Sequence, residues 1–147
     1  MRIVLGADHA GYLLKDAVKQ HLAARGIEVL DVGTEGPASV DYPDFAHKAC
    51  EQVLEGKADL AVLVCGTGIG MSLTANKIHG IRAAVGNTEF EARLAREHNN
   101  ANVLALGARV IDGPAACRSV DAWLDAAFAG GRHQQRLDKV AAIEREE

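Results

Sequence analysis

The segment Cys65–Ser72, with the sequence CGTGIGMS, carries the most specific chemical signal in the chain. Three glycines at alternating positions follow an apolar run and precede a helical pattern, so several backbone N–H groups can point into one concavity. Such a nest stabilises an anion. A dinucleotide-binding fingerprint would need glycine at position 71 and a cysteine phosphatase loop would need arginine there, but the residue is Met71. No Gly-Lys-Ser/Thr sequence follows, so the segment is not a P-loop. The alternative to an anion site is a tight strand-to-helix turn without a ligand.

Cys65 lies at the mouth of this nest and is the candidate base or nucleophile. The helix dipole and the amide N–H groups favour its thiolate form. On position alone, a buried structural cysteine is the equal alternative. We interpret Cys50 and Cys117, which lie in helical patterns among apolar neighbours, as core residues. Three cysteines without C-x-x-C spacing argue against a disulfide framework and against a zinc site.

Asp8 and His9 follow the first apolar run directly, where an acid and an imidazole are poor core material. Asp8 could instead only cap the following helix. His98 and Asn99 end a helical pattern, where a histidine also gains from the helix dipole, so capping is the alternative to a catalytic role.

The segment GGRHQQR, residues 130–136, brings Arg132, His133 and Arg136 onto one helical face. Two guanidiniums and an imidazole suit a phosphate dianion, and Arg109 could join them. The alternative is a solvated charged face. The other histidines, His21, His47 and His79, show no metal-ligand spacing.

Alternating strand and helix patterns position these residues. The strands are continuous apolar runs, which are typical of parallel strands buried on both faces. Thr88 and Glu91 have the spacing of a capping box, and Asp41 that of an N-cap before Pro43. We predict strands over 2–7, 27–32, 60–65, 81–85 and 102–106, and helices over 11–25, 41–55, 71–78, 88–98, 114–128 and 131–146.

This order of elements predicts an α/β fold, a three-layer α/β/α sandwich with a parallel sheet. The chain is interpreted as one domain, residues 1–147, in which residues 131–147 form a C-terminal helical arm. Ligands bind such sheets where strands end. The positions that directly follow strands are Asp8–His9, Gly33–Thr34, Cys65–Gly70, Gly86–Asn87 and Gly107–Arg109.

Composition limits the class of protein. Hydrophobic residues make up 48% of 147, enough for a core, and the formal charge of −4 argues against a nucleic-acid binder. The N-terminal apolar run is too short for a signal peptide, and no segment approaches the roughly 18 apolar residues of a membrane span. We expect a soluble cytoplasmic protein that binds neither nucleic acid nor membranes.

A candidate base, an N–H nest, an imidazole and a phosphate clamp together match proton transfer next to a carbonyl. Moving a carbonyl between C1 and C2 of a sugar requires these groups and an acid that opens the ring. It requires no redox cofactor, and the sequence indicates none. We therefore expect no cofactor and no metal.

The chain resembles the type B ribose-5-phosphate isomerases, in the family that also contains allose-6-phosphate and galactose-6-phosphate isomerases. The resemblance runs nearly end to end. It is carried by GADHAG, DYPDFA, CGTGIGMS followed by ANK, GIRAAV, EHNNANVLALGARV, DAWL, and GGRHQQR followed by AIE. It implies a five-stranded parallel Rossmann-like sheet and interconversion of ribose 5-phosphate and ribulose 5-phosphate through a cis-enediolate. It also implies a homodimer or homotetramer with active sites shared between subunits.

The resemblance further implies a role for each site residue. Cys65 would be the base, while His98 and Asp8 would assist ring opening. Gly66, Gly68, Ile69 and Gly70 would hold the enediolate through their backbone, with the Thr67 hydroxyl assisting at the oxygens; Asn99 and Tyr42 would bind the sugar; and His9, Arg109, Arg132, His133 and Arg136 would hold the phosphate. One branch of the family has its base as a cysteine at position 65 and another as a glutamate at position 71, so this sequence resembles the cysteine branch.

Two alternatives stay open. An isomerase of a 6-phosphohexose, allose or galactose 6-phosphate, would keep the same fold and base. A non-catalytic phosphosugar-binding module would keep the nest and the arginines but would not need Cys65 and His98 together. A thiol redox protein has little support, because Cys65 has no resolving cysteine nearby in the sequence.

Overall fold

The protein forms five parallel strands and six helices, which a computed structural model describes for residues 1–146. Glu147, the last residue of the predicted arm, lies outside the described residues. The elements are β1 (Arg2–Ala7), α1 (Tyr12–Ala24), β2 (Glu28–Asp31), α2 (Tyr42–Leu54), β3 (Leu60–Cys65), α3 (Ile69–Ala75), β4 (Ala83–Val85), α4 (Glu89–Glu97), β5 (Val103–Gly107), α5 (Gly113–Asp125) and α6 (Arg132–Arg145).

The strands form one sheet in the order β2-β1-β3-β5-β4, and every pair is parallel. The predicted α/β class and the five-stranded parallel sheet are confirmed. All strands end at the same edge, called here the carboxyl edge, and begin at the opposite, amino edge. The chain changes direction across the sheet between β1 and β3, and ligands of such folds bind at this switch point, at the carboxyl edge.

Helices cover both faces of the sheet. Val18, Leu22 and Trp123, from α1 and α5, pack with Leu5 and the buried face of α4 on one side. The other side carries α2 and α3. Successive side chains of a strand point into opposite cores, which is why the central strands β3 and β5 are apolar throughout. No helix among residues 1–146 is both long enough and apolar enough to cross a membrane.

Helix boundaries follow local signals in most places. The Thr88 hydroxyl accepts a hydrogen bond from the Glu91 N–H at 3.1 Å, which confirms that cap. Asp41 occupies the N-cap of α2, but its side chain makes no capping hydrogen bond. The predicted helix 71–78 begins two residues earlier and ends at Ala75, because left-handed Gly68 turns the chain directly into α3.

A buried ion pair joins α1 to the end of β2. Lys15 is fully buried, and its ammonium donates to both carboxylate oxygens of Asp31 at 2.8 and 2.9 Å. Asp31 also accepts from Lys19 and from the Gly33 N–H, at 3.1 and 2.8 Å. Gly33 in turn hydrogen-bonds Ala7 at the end of β1, so the pair supports the loop beside Asp8.

The helix α6 is set apart from the rest of the chain. It contains no buried residue. Its contacts with the body include the Glu144 carboxylate, which accepts from the Gly80 N–H at 3.2 Å, and a contact between the rings of His133 and His98. The backbone before it passes through Gly130 and Gly131, both with positive φ.

Candidate active site

Three central strands end side by side at the carboxyl edge. Cys65, the last residue of β3, pairs in register with Gly107 of β5. On the other side of β3, the Asp8 N–H donates to the Val64 carbonyl at 3.2 Å. The thiol and the carboxylate predicted as site residues therefore follow neighbouring strands.

The glycine-rich loop after β3 folds around the Cys65 sulfur. The Gly68 N–H donates to Sγ with an N···S distance of 3.2 Å. Gly68 has φ of 86°, a left-handed conformation that glycine adopts without steric cost, and it starts α3. The first-turn N–H groups of a helix lack intrahelical partners, so this loop presents amide donors next to the thiol. One of them, the Ile69 N–H, donates to the Thr67 hydroxyl at 3.2 Å.

Two larger side chains cover the glycines of this loop. The Tyr42 ring lies against Gly70, where an added Cβ would come within 2.6 Å of the ring. The Arg109 guanidinium lies over Gly66, with Nη1 3.0 Å from an added Cβ. Glycine at these positions thus lets an aromatic ring and a cation approach the backbone. Cys65 beneath them is only 4% exposed.

Asp8 and His9 are held by backbone hydrogen bonds. One Asp8 carboxylate oxygen accepts from the N–H groups of Ala10 and Gly11, both at 3.0 Å, and the residue is 6% exposed. Gly11 packs so closely against Val64 that no Cβ would fit there. The Val40 N–H donates to Nδ1 of His9 at 3.2 Å, so the neutral ring carries its proton on Nε2.

Asn87 belongs to this site, although the sequence assigned it no role. Its Nδ2 donates to the Thr67 carbonyl at 3.0 Å, and its Oδ1 accepts from the Gly107 N–H at 2.8 Å. The available signal was its position directly after β4, at the carboxyl edge. The sequence does not indicate that the Asn87 amide both donates and accepts a backbone hydrogen bond there.

The remaining predicted residues lie at the amino edge. His98 ends α4 and stacks on His133, with ring centroids 4.2 Å apart. Arg132 and Arg136 lie in the first turns of α6 beside this stack. Partial desolvation, together with the charges of His98 and the two arginines, lowers the pKa of His133. Asn99 is exposed and borders a cleft that α6 also lines.

One chain therefore holds the predicted residues in two separate groups. The carboxyl-edge group consists of Asp8, His9, Tyr42, Cys65–Gly70 and Arg109. The amino-edge group consists of His98, Asn99, Arg132, His133 and Arg136. The five residues of β5 lie between the two edges, a distance of roughly 15 Å at about 3.3 Å per residue. Arg109 therefore does not join the other arginines within one chain. Among residues 1–146, no cluster of three or more His, Cys, Asp or Glu side chains could hold a metal ion.

Comparisons with known proteins identify the family of the chain. The model of the Ribose/Galactose Isomerase family matches residues 3–140. Ribose-5-phosphate isomerase B of Escherichia coli is 47% identical over 97% of this chain and 96% of its own length. The solved structure of ribose-5-phosphate isomerase B from Clostridium thermocellum is 51% identical, covers 99% of both chains and superposes with a TM-score of 0.98.

A further solved relative carries a ligand. Ribose-5-phosphate isomerase B from Mycoplasma genitalium, described with bound ribulose-5-phosphate, is 41% identical and gives a TM-score of 0.95 over 99% of this chain and 97% of its own. Sequence identity at this level across nearly the whole length indicates membership of the same family, and not only a shared fold. The chain belongs to the ribose/galactose isomerase family and is an aldose–ketose isomerase.

Proposed function

We propose that this protein interconverts ribose 5-phosphate and ribulose 5-phosphate, with Cys65 as the base. The observation that carries the proposal is the hydrogen bond from the Gly68 N–H to the Cys65 sulfur, because a main-chain amide donor favours the thiolate form of the cysteine. The bound ribulose-5-phosphate named for the Mycoplasma relative supports the choice of substrate.

The reaction needs one carbon-bound proton to move between two neighbouring carbons. The Cys65 thiolate removes the proton from C2 of the open-chain aldose, breaking a C–H bond and forming S–H. The electron pair moves toward the C1 oxygen and gives a cis-enediolate. The thiol then returns the proton to C1, while the Thr67 hydroxyl assists transfer between the two oxygens. Amide donors of the loop stabilise the negative charge that develops on them.

Ring opening and phosphate binding require the second group of residues. We propose that the amino-edge group of one subunit meets the carboxyl-edge group of another, so that each site is built from two chains. The separation of the groups within one chain supports this arrangement. So do the exposed apolar side chains near the carboxyl edge, Ile69, Leu73 and Val110, which are more than half exposed and would be covered by a second copy.

In this arrangement His98 and Asp8 assist ring opening, and Asn99 and Tyr42 contact the sugar hydroxyls. The phosphate is held by His9 and Arg109 of one subunit with Arg132, His133 and Arg136 of the other. Guanidinium groups bind phosphate oxygens in pairs of parallel hydrogen bonds, which suits a dianion.

The test follows ribulose 5-phosphate formation from ribose 5-phosphate in EDTA by the wild-type protein, Cys65→Ala and Cys117→Ala. Cys117 is a matched control, since it is a half-buried cysteine of α5 away from the loop. We expect conversion by the wild type and by Cys117→Ala, and loss of conversion in Cys65→Ala. Conversion by Cys65→Ala would exclude the thiol as base. Turnover of allose or galactose 6-phosphate in place of ribose 5-phosphate would overturn the proposed substrate.

A further inference from the structure

We propose that Asn87 is a positioning residue that orients the Gly68 N–H toward the Cys65 sulfur by fixing the Thr67–Gly68 peptide. This inference rests on the proposed function for its kinetic part, but its structural part can be measured without turnover. Asn87 itself contacts neither the thiol nor, in this proposal, the substrate.

The side-chain amide of Asn87 is used at both ends. Nδ2 donates to the Thr67 carbonyl at 3.0 Å, and Oδ1 accepts from the Gly107 N–H at 2.8 Å. A single planar group thus connects the glycine-rich loop to the end of β5. Because the amide is planar, fixing one hydrogen bond also fixes the direction of the other.

The end of β4 explains why asparagine is required here. Val85 is the last residue of β4 and pairs with Ala105, so β4 stops before it reaches the level of Gly107. The Gly107 N–H therefore points toward the β4 side of β5, where β4 no longer offers an acceptor. Asn87, two residues beyond Val85, supplies the acceptor that the missing strand would have supplied.

The Thr67–Gly68 peptide transmits this contact to the sulfur. In a trans peptide unit the C=O and the following N–H point in opposite directions. When Asn87 holds the Thr67 carbonyl on its side, the Gly68 N–H must point the other way, where it meets Sγ at 3.2 Å.

Glycine at position 68 would not by itself choose this orientation. Glycine occupies left- and right-handed conformations with similar ease, so this peptide could rotate if its carbonyl were released. Packing limits where the loop lies, and the hydrogen bond from Asn87 adds a directional constraint on the peptide. Thr67 sits directly against Gly107, where an added Cβ would lie 2.6 Å from the Thr67 carbonyl carbon.

The experiment compares Asn87→Asp with Asn102→Asp. An aspartate at position 87 keeps the shape and the acceptor for Gly107 but cannot donate to the Thr67 carbonyl. Asn102 is a matched control, because its amide also makes two backbone contacts, with the Arg82 N–H at 2.7 Å and the Gly80 carbonyl at 3.0 Å, but at the amino edge.

Two measurements are made on each variant. We expect kcat of Asn87→Asp to fall about tenfold to a hundredfold, somewhat less than the loss of a direct oxyanion donor, with KM changed less than about threefold. The amide proton resonance of Gly68 should move toward its position in Cys65→Ala, where no sulfur is present to accept. Asn102→Asp should leave both kcat and this resonance close to the wild type.

An unchanged Gly68 resonance in Asn87→Asp, or an unchanged kcat, would overturn the proposal. If the wild type did not convert ribose 5-phosphate, the proposed function would fail while the Gly68 resonance still decided the role of Asn87. Should Asn87→Asp not fold, Asn87→Ser provides the same two readouts, because its hydroxyl is too short to join Thr67 and Gly107.

Discussion

The imidazole rings of His98 and His133 stack with centroids 4.2 Å apart and planes inclined by 11°. His98 ends α4 and His133 lies in the first turn of α6, so the stack connects the arm to the body. The backbone supports the same junction, since the Ala129 N–H donates to the Glu97 carbonyl at 2.9 Å. The candidate ring-opening acid and the candidate phosphate ligands are thus held together before any substrate arrives.

Replacing His98 by asparagine should raise the pKa of His133. The ring of His133 is partly desolvated by its neighbours and lies near positive charge from His98 and two arginines, and these effects hold its pKa below the ordinary value of about 6.5. Removing the His98 ring reduces both the desolvation of His133 and the positive charge near it. Proton NMR titration of the His133 ring measures the change, with His47→Asn on the distant α2 as control. An unchanged pKa in His98→Asn would show that the stack does not control this imidazole.

Mixing two inactive variants should restore turnover if each site is built from two chains. Cys65→Ala lacks the base, and a His98→Ala variant lacks a residue of the other group. A mixed dimer contains one site with both residues intact, so an equimolar mixture refolded together should reach about a quarter of wild-type activity. Refolding each variant alone is the control. Persistent inactivity of the mixture, despite mixed dimers demonstrated by native mass spectrometry, would place both groups in the site of a single chain.

Alanine at Gly107 should impair both stability and catalysis. An added Cβ would lie 2.6 Å from backbone atoms of Thr67, which cannot move aside as a side-chain end can. We expect a loss of about 1–3 kcal/mol in the free energy of unfolding and a lower kcat, because the loop around Cys65 must shift. Gly36→Ala is the control, since no atom lies within 4 Å of its added Cβ. Urea unfolding and turnover measure both effects, and wild-type values for Gly107→Ala would contradict the close packing.

The buried pair of Lys15 and Asp31 should make stability depend on acid pH. Burial alone would raise the pKa of Asp31, but hydrogen bonds from Lys15, Gly33 and Lys19 outweigh it and lower that pKa. The ionised Asp31 therefore stabilises the folded state fully above its unfolded pKa of about 3.9. This stabilisation is lost as pH falls through the lower pKa of the folded state.

Asp31→Asn tests this dependence, because it leaves the Lys15 ammonium buried without its partner. We expect a loss of about 3–5 kcal/mol at neutral pH that narrows as pH falls below about 3.9. Asp44→Asn, at an exposed position of α2, should cost less than about 1 kcal/mol. Urea unfolding of the wild type and of Asp31→Asn across this pH range measures the difference in their free energies of unfolding. A difference that stays constant with pH would be inconsistent with a lowered pKa of Asp31.

The sequence predicts the central strands well, because burial on both faces makes them continuous apolar runs. Arg2–Ala7 and Leu60–Cys65 match their predicted bounds. Strand β4 is shorter than predicted and starts at Ala83, because the Arg82 N–H donates to the Asn102 side chain at 2.7 Å, although the Arg82 carbonyl still accepts from the Val103 N–H of β5 at 3.2 Å. Such a side-chain substitute for strand pairing has no signature in a hydrophobic pattern.

The candidate site is predictable only in part. Glycines reveal the loop around Cys65, since few other sequences turn from strand to helix so sharply. Nothing in the sequence indicates that Lys15 is buried, because a lysine in a helix is normally exposed and its partner Asp31 lies on another element. The division of the candidate site residues between two edges follows from the parallel sheet, because a helix that connects two parallel strands ends at their amino edge, where His98 lies.

The loop Gly66–Gly70 has a consequence for how this site can vary. Its proposed anion donors are main-chain amides, which every residue type except proline supplies equally. Exchange of the Ile69 side chain therefore leaves the chemistry in place, whereas any side chain at Gly68 would press on backbone carbons of β5 3.2 Å away. Substitutions at surrounding side chains such as Tyr42 can therefore change substrate preference, while the amide donors of the loop keep their positions.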